Sequence, residues 1–312
     1  MIEVHRYKFD QKSLWDNVVE KSKNGIFLFY RNYMDYHQER FTDHSLMLCR
    51  SNKIIAIFPA NESGDEIFSH GGLTFGSLIM SFDLKAIEVL EIFILIKDYY
   101  NQLGFKKLTC KTIPSIFHKY SAEEDLYALF RLNAHLVRRD ISSVICLENK
   151  IKFSESKRQS VTKCEHGNII FSENTNFREY WRLLIEVVSK FDAKPVHSLE
   201  EISNLRNHFP EQIRLFEARL DNVLLAGVVI YDYGHVVHTQ YMANSQEGRK
   251  LGALDFINHK LINEVFSHKK YFSFGISTEN QGMKLNEGLI NQKEMMGSRG
   301  IAIDLYTIVL DS

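Results

Sequence analysis

The segment "RNYMDYHQERFTDH" gathers Arg31, Asp35, His37, Glu39, Arg40, Asp43 and His44 into one short stretch. It is too polar and aromatic to be simple core, so it reads either as a solvated helix or loop or as a site. Carboxylates and imidazoles are the groups that take a proton from an amine near neutral pH, and Asp35 and His37 are the first candidates for that role. Arg31 and Arg40 suit the oxygens of a diphosphate, and Tyr33, Tyr36 or Tyr120 could stack on a nucleobase ring. His70, inside "SHGGLTFG", stands at a strand end before two glycines, where backbone can approach a ligand. A satisfied structural histidine is the competing reading there.

A second stretch, "SQEGRKLGALDF" from Ser245 to Phe256, follows the strand "VVHTQYMANS" and opens a helix with Leu251, Leu254, Asn258, Leu261 and Val265 along one face. Such a junction presents free backbone N–H groups and the positive end of a helix dipole, which together hold a phosphate. Gly248 and Gly252 would clear room for its oxygens, and Arg249 and Lys250 would add charge. The same residues fit a turn glycine and a packing glycine equally well. No Gly-Lys-Ser/Thr ends the loop and no Gly-x-Gly-x-x-Gly crosses it, so neither common nucleotide fingerprint applies.

These segments need a scaffold, and the chain is long enough for two domains: 312 residues, 45% apolar and 25% charged, the composition of a folded soluble protein. The net charge of -1 supplies no basic field for nucleic acid. Cys49, Cys110, Cys146 and Cys164 are widely spread with no C-x-x-C pair, which points to reduced thiols and no metal. The N-terminus lacks the pattern of a signal peptide, and the apolar run "AIEVLEIFILIKDYY" is short and interrupted by Glu88, Glu91 and Lys97. A cytoplasmic protein that does not span a membrane is expected.

Apolar runs around Ser51-Asn52 and Glu62-Ser63-Gly64-Asp65 predict an antiparallel meander. A helix opened by Ser81 or Asp83 should then turn Leu84, Ile87, Leu90, Ile94 and Tyr99 inward until Gly104 stops it, and the strand "KKLTCKTIP" follows. The second half repeats that order with "IRLFEARLDNVLLAGVVIYDYGHVVHTQYMANS", "GRKLGALDFINHKLINEVF" and "KKYFSFGIS". A duplicated α/β unit is the inference, divided into residues 1–150 and 151–312.

Arg249-Lys-Leu-Gly252-Ala-Leu254 resembles the acyl-CoA pyrophosphate loop of the GNAT superfamily of N-acyltransferases, Arg/Gln-x-x-Gly-x-Gly/Ala, with Leu254 departing at the last position. Duplication narrows the resemblance to double-GNAT proteins of the Fem-type class. The stretches "FTDHSLML", "SHGGLTFGSL", "KYSAEEDLYALFRLNAHLVRRDISS", "KPVHSLEEI", "GRKLGALDF" and "YFSFGISTENQG" look like the nucleotide-linked amino-sugar N-acyltransferases of bacterial lipopolysaccharide and capsule pathways. The resemblance implies an α/β fold of tandem GNAT-like units, each a mixed, mostly antiparallel sheet flanked by helices. It implies acyl transfer from acyl-CoA to the amine of a nucleotide-linked, dTDP-type deoxysugar by direct attack in a ternary complex.

By the same resemblance, Tyr241, Met242, Ala243, Gly248, Arg249, Lys250, Leu251, Gly252, Ala253, Glu279 and Asn280 would contact acyl-CoA, with Met242 and Ala243 offering a backbone N–H to the thioester oxygen. Asp35, His37 and His70 would serve the amine, and Arg31, Tyr33, Arg40 and Tyr120 the sugar nucleotide. Many GNAT enzymes place a tyrosine after the "YFSFGIS" strand to protonate the leaving thiolate, and none occurs from Asn280 to Gly297; Tyr241 or Tyr306 could substitute. The expected partners are the nucleotide-linked amino sugar and acyl-CoA, with no metal, nucleic acid or membrane and with a homodimer left open. Two alternatives stand beside this reading: a Fem-type aminoacyl transferase using charged tRNA, and a ligand-binding module without turnover.

Overall fold

The computed structural model describes residues Met1–Leu310 and divides into two compact units. The first comprises Met1–Asp140, Asn280–Lys284 and the chain from Ala302 onward; the second comprises Ile141–Glu279 and Leu285–Ile301. The division differs from the expected one at residue 150, because the closing strand Arg299–Val309 returns to the first unit, where it pairs antiparallel with Lys107–Lys111.

In the first unit β1 (Ile2–Arg6) leads to α1 (Lys12–Lys21) and the single turn α2 (Arg31–Met34). The hairpin β2 (Leu46–Arg50) and β3 (Lys53–Phe58) turns through Ser51 and Asn52, both with positive φ, as the sequence turn signal required. With β4 (Ile79–Met80) these strands form an antiparallel sheet in the order β1-β2-β3-β4. Then come α3 (Ala86–Gln102), β5 (Lys107–Lys111), α4 (Glu124–Arg131) and β6 (His135–Cys146). β5 pairs in parallel with the short strand Glu66–Phe68 rather than with β4.

α3 buries Val89, Ile92, Phe93, Ile96 and Tyr100 against Leu48, Ala56 and Phe58. The expected stripe is out of phase: Ile87 is 76% exposed and Ile94 42%. The helix starts at Ala86, later than Ser81 or Asp83, with the Glu88 carboxylate accepting the N–H of Lys85. Leu84 therefore packs from the preceding turn, and counting helical positions from it rotates the face.

The second unit contains α5 (Glu155–His166), β7 (Ile170–Asn174), α6 (Arg178–Ser189), α7 (Leu199–His208), β8 (Ile213–Leu220), β9 (Val223–Asp232) and β10 (Val236–Asn244). It continues through α8 (Gln246–Leu251), α9 (Ala253–Lys260), a π-helical turn Leu261–Val265, β11 (Tyr271–Ile276) and α10 (Glu287–Glu294). β7 to β10 are antiparallel neighbours, β11 lies parallel to β10, and β6 pairs antiparallel with β11 from Ser142 to Cys146. Phe256, Ile257 and Leu261 seat the helical segment on Phe216, Val228 and Ile230. Both units thus share one order: an antiparallel sheet, a helix, then a further strand. The four cysteines are free, and no helix among the described residues is long and apolar enough to cross a membrane.

Candidate functional site

In the second unit β10 and β11 pair only at Val236–Tyr271, Val237–Phe272 and His238–Ser273, then part. Two local features open them. A bulge in β10 leaves Gln240 without a partner on β9, between Thr239 opposite Ile230 and Tyr241 opposite Val229. Gly275 in β11 has φ +73 and bends that strand; a Cβ there would stand 3.1 Å from the His238 ring. Bulges re-aim backbone and side chains, and here the irregularity falls at Gln240; Met242 and Ala243, the expected N–H donors, are in register with β9 on one edge and lie beyond the last β11 pair on the other.

Beyond the parting strands lies Lys293 of α10, 3% exposed. Its ammonium donates to the carbonyls of Gly275 at 3.0 Å and Ile276 at 2.7 Å, and to Ser277 Oγ at 2.9 Å. Burial lowers its pKa to about 8, so it stays mostly charged at neutral pH. His238 bonds Ser273 Oγ through Nδ1 at 3.1 Å; burial, with the Lys293 charge added, brings its pKa down to about 4. A neutral imidazole and a buried cation therefore lie beside the parting strands.

Sequence reasoning passed over Lys293. Its signal was a lysine aligned at helical spacing with Leu289 and Met296, a place where an apolar residue would be expected.

The segment expected to cradle a pyrophosphate is built differently. Ser245 caps α8 by accepting the Gly248 N–H, and Gly252, at φ +85, ends α8 and starts α9. Gly248 is a packing glycine: a Cβ would meet the Leu225 carbonyl at 2.3 Å. α5 covers Gly252, where a Cβ would stand 2.7 Å from Ser160 Cβ. Lys157 pairs with Asp255 at 2.7 Å, Lys163 donates to the Lys250 carbonyl, and Cys164 Sγ donates to the Leu251 carbonyl. The room that the two glycines create is thus filled by backbone and by α5.

Arg249 and Lys250 are exposed, Ala253 is core, and Met242 packs against Asn258. The Tyr241 hydroxyl lies 2.6 Å from His197 Nδ1, its ring is edge-on to Trp181, and burial pushes its pKa up to about 12. Glu279 accepts from Asn286, and Asn280 occupies a positive-φ turn in the first unit.

In the first unit the structure does gather the polar segment. Arg31, Asp35, Asp43 and His70 line a pocket of about 250 Å³ together with Tyr7 and Phe41. The His37 and His70 rings lie 5.4 Å apart. Arg31 is buried, pairs with Asp35 at 2.9 Å and with Asp43, and lies 3.9 Å over the Tyr7 ring. Two carboxylates already balance Arg31, which leaves it poorly placed for the expected diphosphate role.

Burial raises the pKa of Asp35, opposed by Arg31 and assisted by Asp43. Burial, then the Arg40 charge, lowers His37 to about 4; burial, then His37, lowers His70 to about 3. Both imidazoles are neutral at pH 7, and His70 Nδ1 has no hydrogen-bond partner.

The glycines after His70 bring backbone close to His37 and Phe41 rather than clearing space for a ligand. A Cβ at Gly72 would fall 2.0 Å from His37 Nε2. Tyr33 is core, edge-on to Phe27 and Tyr36, and Arg40 is exposed. Tyr120 is 66% exposed beside Phe82 and does not join the pocket. Tyr306, the other tyrosine considered for the leaving group, bonds Asp304 in the first unit. Among the described residues no cluster of three or more metal-ligating side chains occurs.

No family model matches the sequence, and comparison with curated proteins gives no match. Solved structures do match in fold. FemX superposes with a TM-score of 0.70 at 10% identity, covering 99% of this chain and 97% of that one. The C-terminal domain of a protein assigned as a lysylphosphatidylglycerol synthetase from Agrobacterium fabrum gives 0.62 at 10%, covering 97% and 92%. A tandem GNAT protein from the clavulanic acid biosynthesis pathway gives 0.54 at 8%, covering 100% and 99%. The chain has the tandem GNAT fold: mixed α/β, with mostly antiparallel sheets flanked by helices.

Proposed function

We propose that the chain is an N-acyltransferase that receives the activated carbonyl of its donor where β10 and β11 part, in the field of Lys293. The observation that carries this reading is the coincidence of the parted strands, the Gln240 bulge and the buried Lys293 ammonium in one place. The amine lone pair attacks the carbonyl carbon, a C–N bond forms, and the bond to the leaving oxygen or sulfur breaks. The ammonium proton passes to a base or water, and the leaving group takes up a proton. Negative charge develops on the carbonyl oxygen, and a fixed cation in a partly dry site stabilises it more than water would. Lys293 already donates to three acceptors, so its contribution is its field rather than a new hydrogen bond.

Of the donors considered, an aminoacyl ester, as on charged tRNA, fits better than acyl-CoA. An ester needs no pyrophosphate cradle, and the packing of α5 against Gly252 and Asp255 weighs against one at that glycine. Transfer from acyl-CoA to a nucleotide-linked amino sugar is the second reading. Its amine half rests on the pocket that sets Asp35 and Asp43 beside the neutral His70, where a neutral amine could meet a carboxylate already shared with Arg31.

Two parallel assays separate the readings: transfer of labelled amino acids from a charged tRNA pool, and thiol release from acyl-CoAs of several lengths, each with amine acceptors that include dTDP- and UDP-linked amino sugars. Transfer from the ester donor alone is expected. Turnover with acyl-CoA alone, with a KM raised by Gly252→Leu, would overturn the donor assignment. Turnover with neither would overturn the enzyme reading.

A further inference from the structure

The second unit holds a cavity of about 310 Å³, lined by none of His238, Gln240 and Lys293, to which no role has been given. Its apolar wall is Ile145, Phe153, Ile262 and Met296, and its rim carries Lys150, Lys152 and Arg158. Lys152 makes no hydrogen bond or ion pair among the described residues. Lys150 donates to Asn263 Oδ1 at 2.8 Å, and Arg158 pairs with Glu155. Three cations thus line the cavity, with Glu155 paired to Arg158 and with Glu165 and Glu264 close enough to act on the His259 ring beside them.

His259 also lines the cavity, edge-on to Phe153, and its buried Nδ1 has no hydrogen-bond partner. A buried polar atom left without a partner is costly, and a ligand that bonds it relieves that cost. Ile262 and Asn263 come from the π-helical turn Leu261–Val265, a geometry that is rare and frequent at functional sites.

From this wall and rim we infer a binding site for a small organic phosphate of about ten heavy atoms in all, its apolar body about the size of a phenyl ring, in keeping with small-molecule cavities of a few hundred Å³. The phosphate would meet Lys150, Lys152 and Arg158, the His259 Nδ1–H would donate to one oxygen, and the body would lie on Ile145, Ile262 and Met296. At neutral pH burial keeps His259 uncharged, so it acts as a neutral donor while the rim supplies the charge. Bulk phosphate alone leaves the apolar wall unused, and a neutral aromatic leaves the cations unpaired.

The test uses the full-length chain and three probes in titration calorimetry: phenyl phosphate, inorganic phosphate and benzyl alcohol. Phenyl phosphate is expected to bind at least tenfold more tightly than either of the others and to shift the His259 ring resonances. Lys152→Ala with Arg158→Ala should weaken it by about tenfold or more, as expected when two charge-assisted hydrogen bonds to the phosphate are removed. Ile151 lines the cavity and is 46% exposed, so Ile151→Glu should fold normally and abolish binding by placing a like charge at the rim. Equal affinity for inorganic and phenyl phosphate would overturn the apolar half of the inference. Binding unaffected by the rim variants, or no binding of phenyl phosphate at all, would overturn the site.

Discussion

The two units join their last two sheet elements in different ways. In the second, β10 and β11 are paired from Val236 to His238 and then part. In the first, β4 is reduced to Ile79–Met80, and β5 pairs instead with Glu66–Phe68, so the loop from His70 to Ser77 has to be tied down. Lys111 ties it by donating to the carbonyls of His70, Gly71 and Leu73. Each unit thus contains one lysine whose pKa burial lowers to about 8 and which spends its protons on backbone carbonyls. In the first unit the lysine secures the loop carrying His70; in the second it sets a cation beside parted strands. A similar side chain in similar bonding therefore secures a loop in one unit and, on the proposed function, acts on the reaction in the other.

The most forceful way to break this comparison is to remove both ammonium groups in turn. Lys293→Met should cost about 2–4 kcal/mol, because acceptors lose their donors, and should lower transfer by more than a hundredfold, an electrostatic loss of about 2.7 kcal/mol or more. Lys111→Met should cost similar stability yet lower transfer far less. Urea melts and transfer rates on both variants check this, and equal rate losses would erase the distinction.

Gly72→Ala comes next. Its Cβ would collide with His37 Nε2, so about 2–3 kcal/mol of stability should be lost, as in other overpacked cores. Denaturant midpoints measure it. A midpoint shifted by less than half of that would show that His37 can move aside.

A smaller effect concerns pH. The folded pKa values of about 4 for His37 and about 3 for His70 lie below the usual 6.5. The unfolded chain therefore binds more protons between these values, and stability rises with pH there. The contribution is full above pH 6.5 and is lost as pH falls through 4 toward 3, by up to about 1.4 kcal/mol per pH unit for each histidine. Thermal melts from pH 7 to 4 should show that fall, and His37→Gln with His70→Asn should flatten it.

The smallest expected effect sharpens the site assignment. Arg249→Ala with Lys250→Ala removes two exposed cations from the end of α8, and on the ester-donor reading transfer should change by less than twofold. A rise in KM for acyl-CoA on that double variant would restore the pyrophosphate cradle and the sugar-acyltransferase reading with it.

The sequence by itself determined the repeated order of strands, helix and strand. Apolar alternation, the paired turns Ser51-Asn52 and Asp221-Asn222, and the stop at Gly104 are local signals, and local backbone preference set those elements. It also singled out Asp35, His37 and His70; a polar and aromatic segment marked the first two, whereas packing of the loop after His70 brings that ring within 5.4 Å of His37. Only the tertiary structure decided the rest. Whether Gly252 faces a phosphate or the side of another helix depends on α5, nearly a hundred residues earlier in the chain, and no local pattern encodes that contact. Lys293 reads as an ordinary helix residue until the carbonyls of Gly275 and Ile276 close around it. Burial, which shifts its pKa and fixes its charge beside the parted strands, belongs to the packed chain and not to any segment of it.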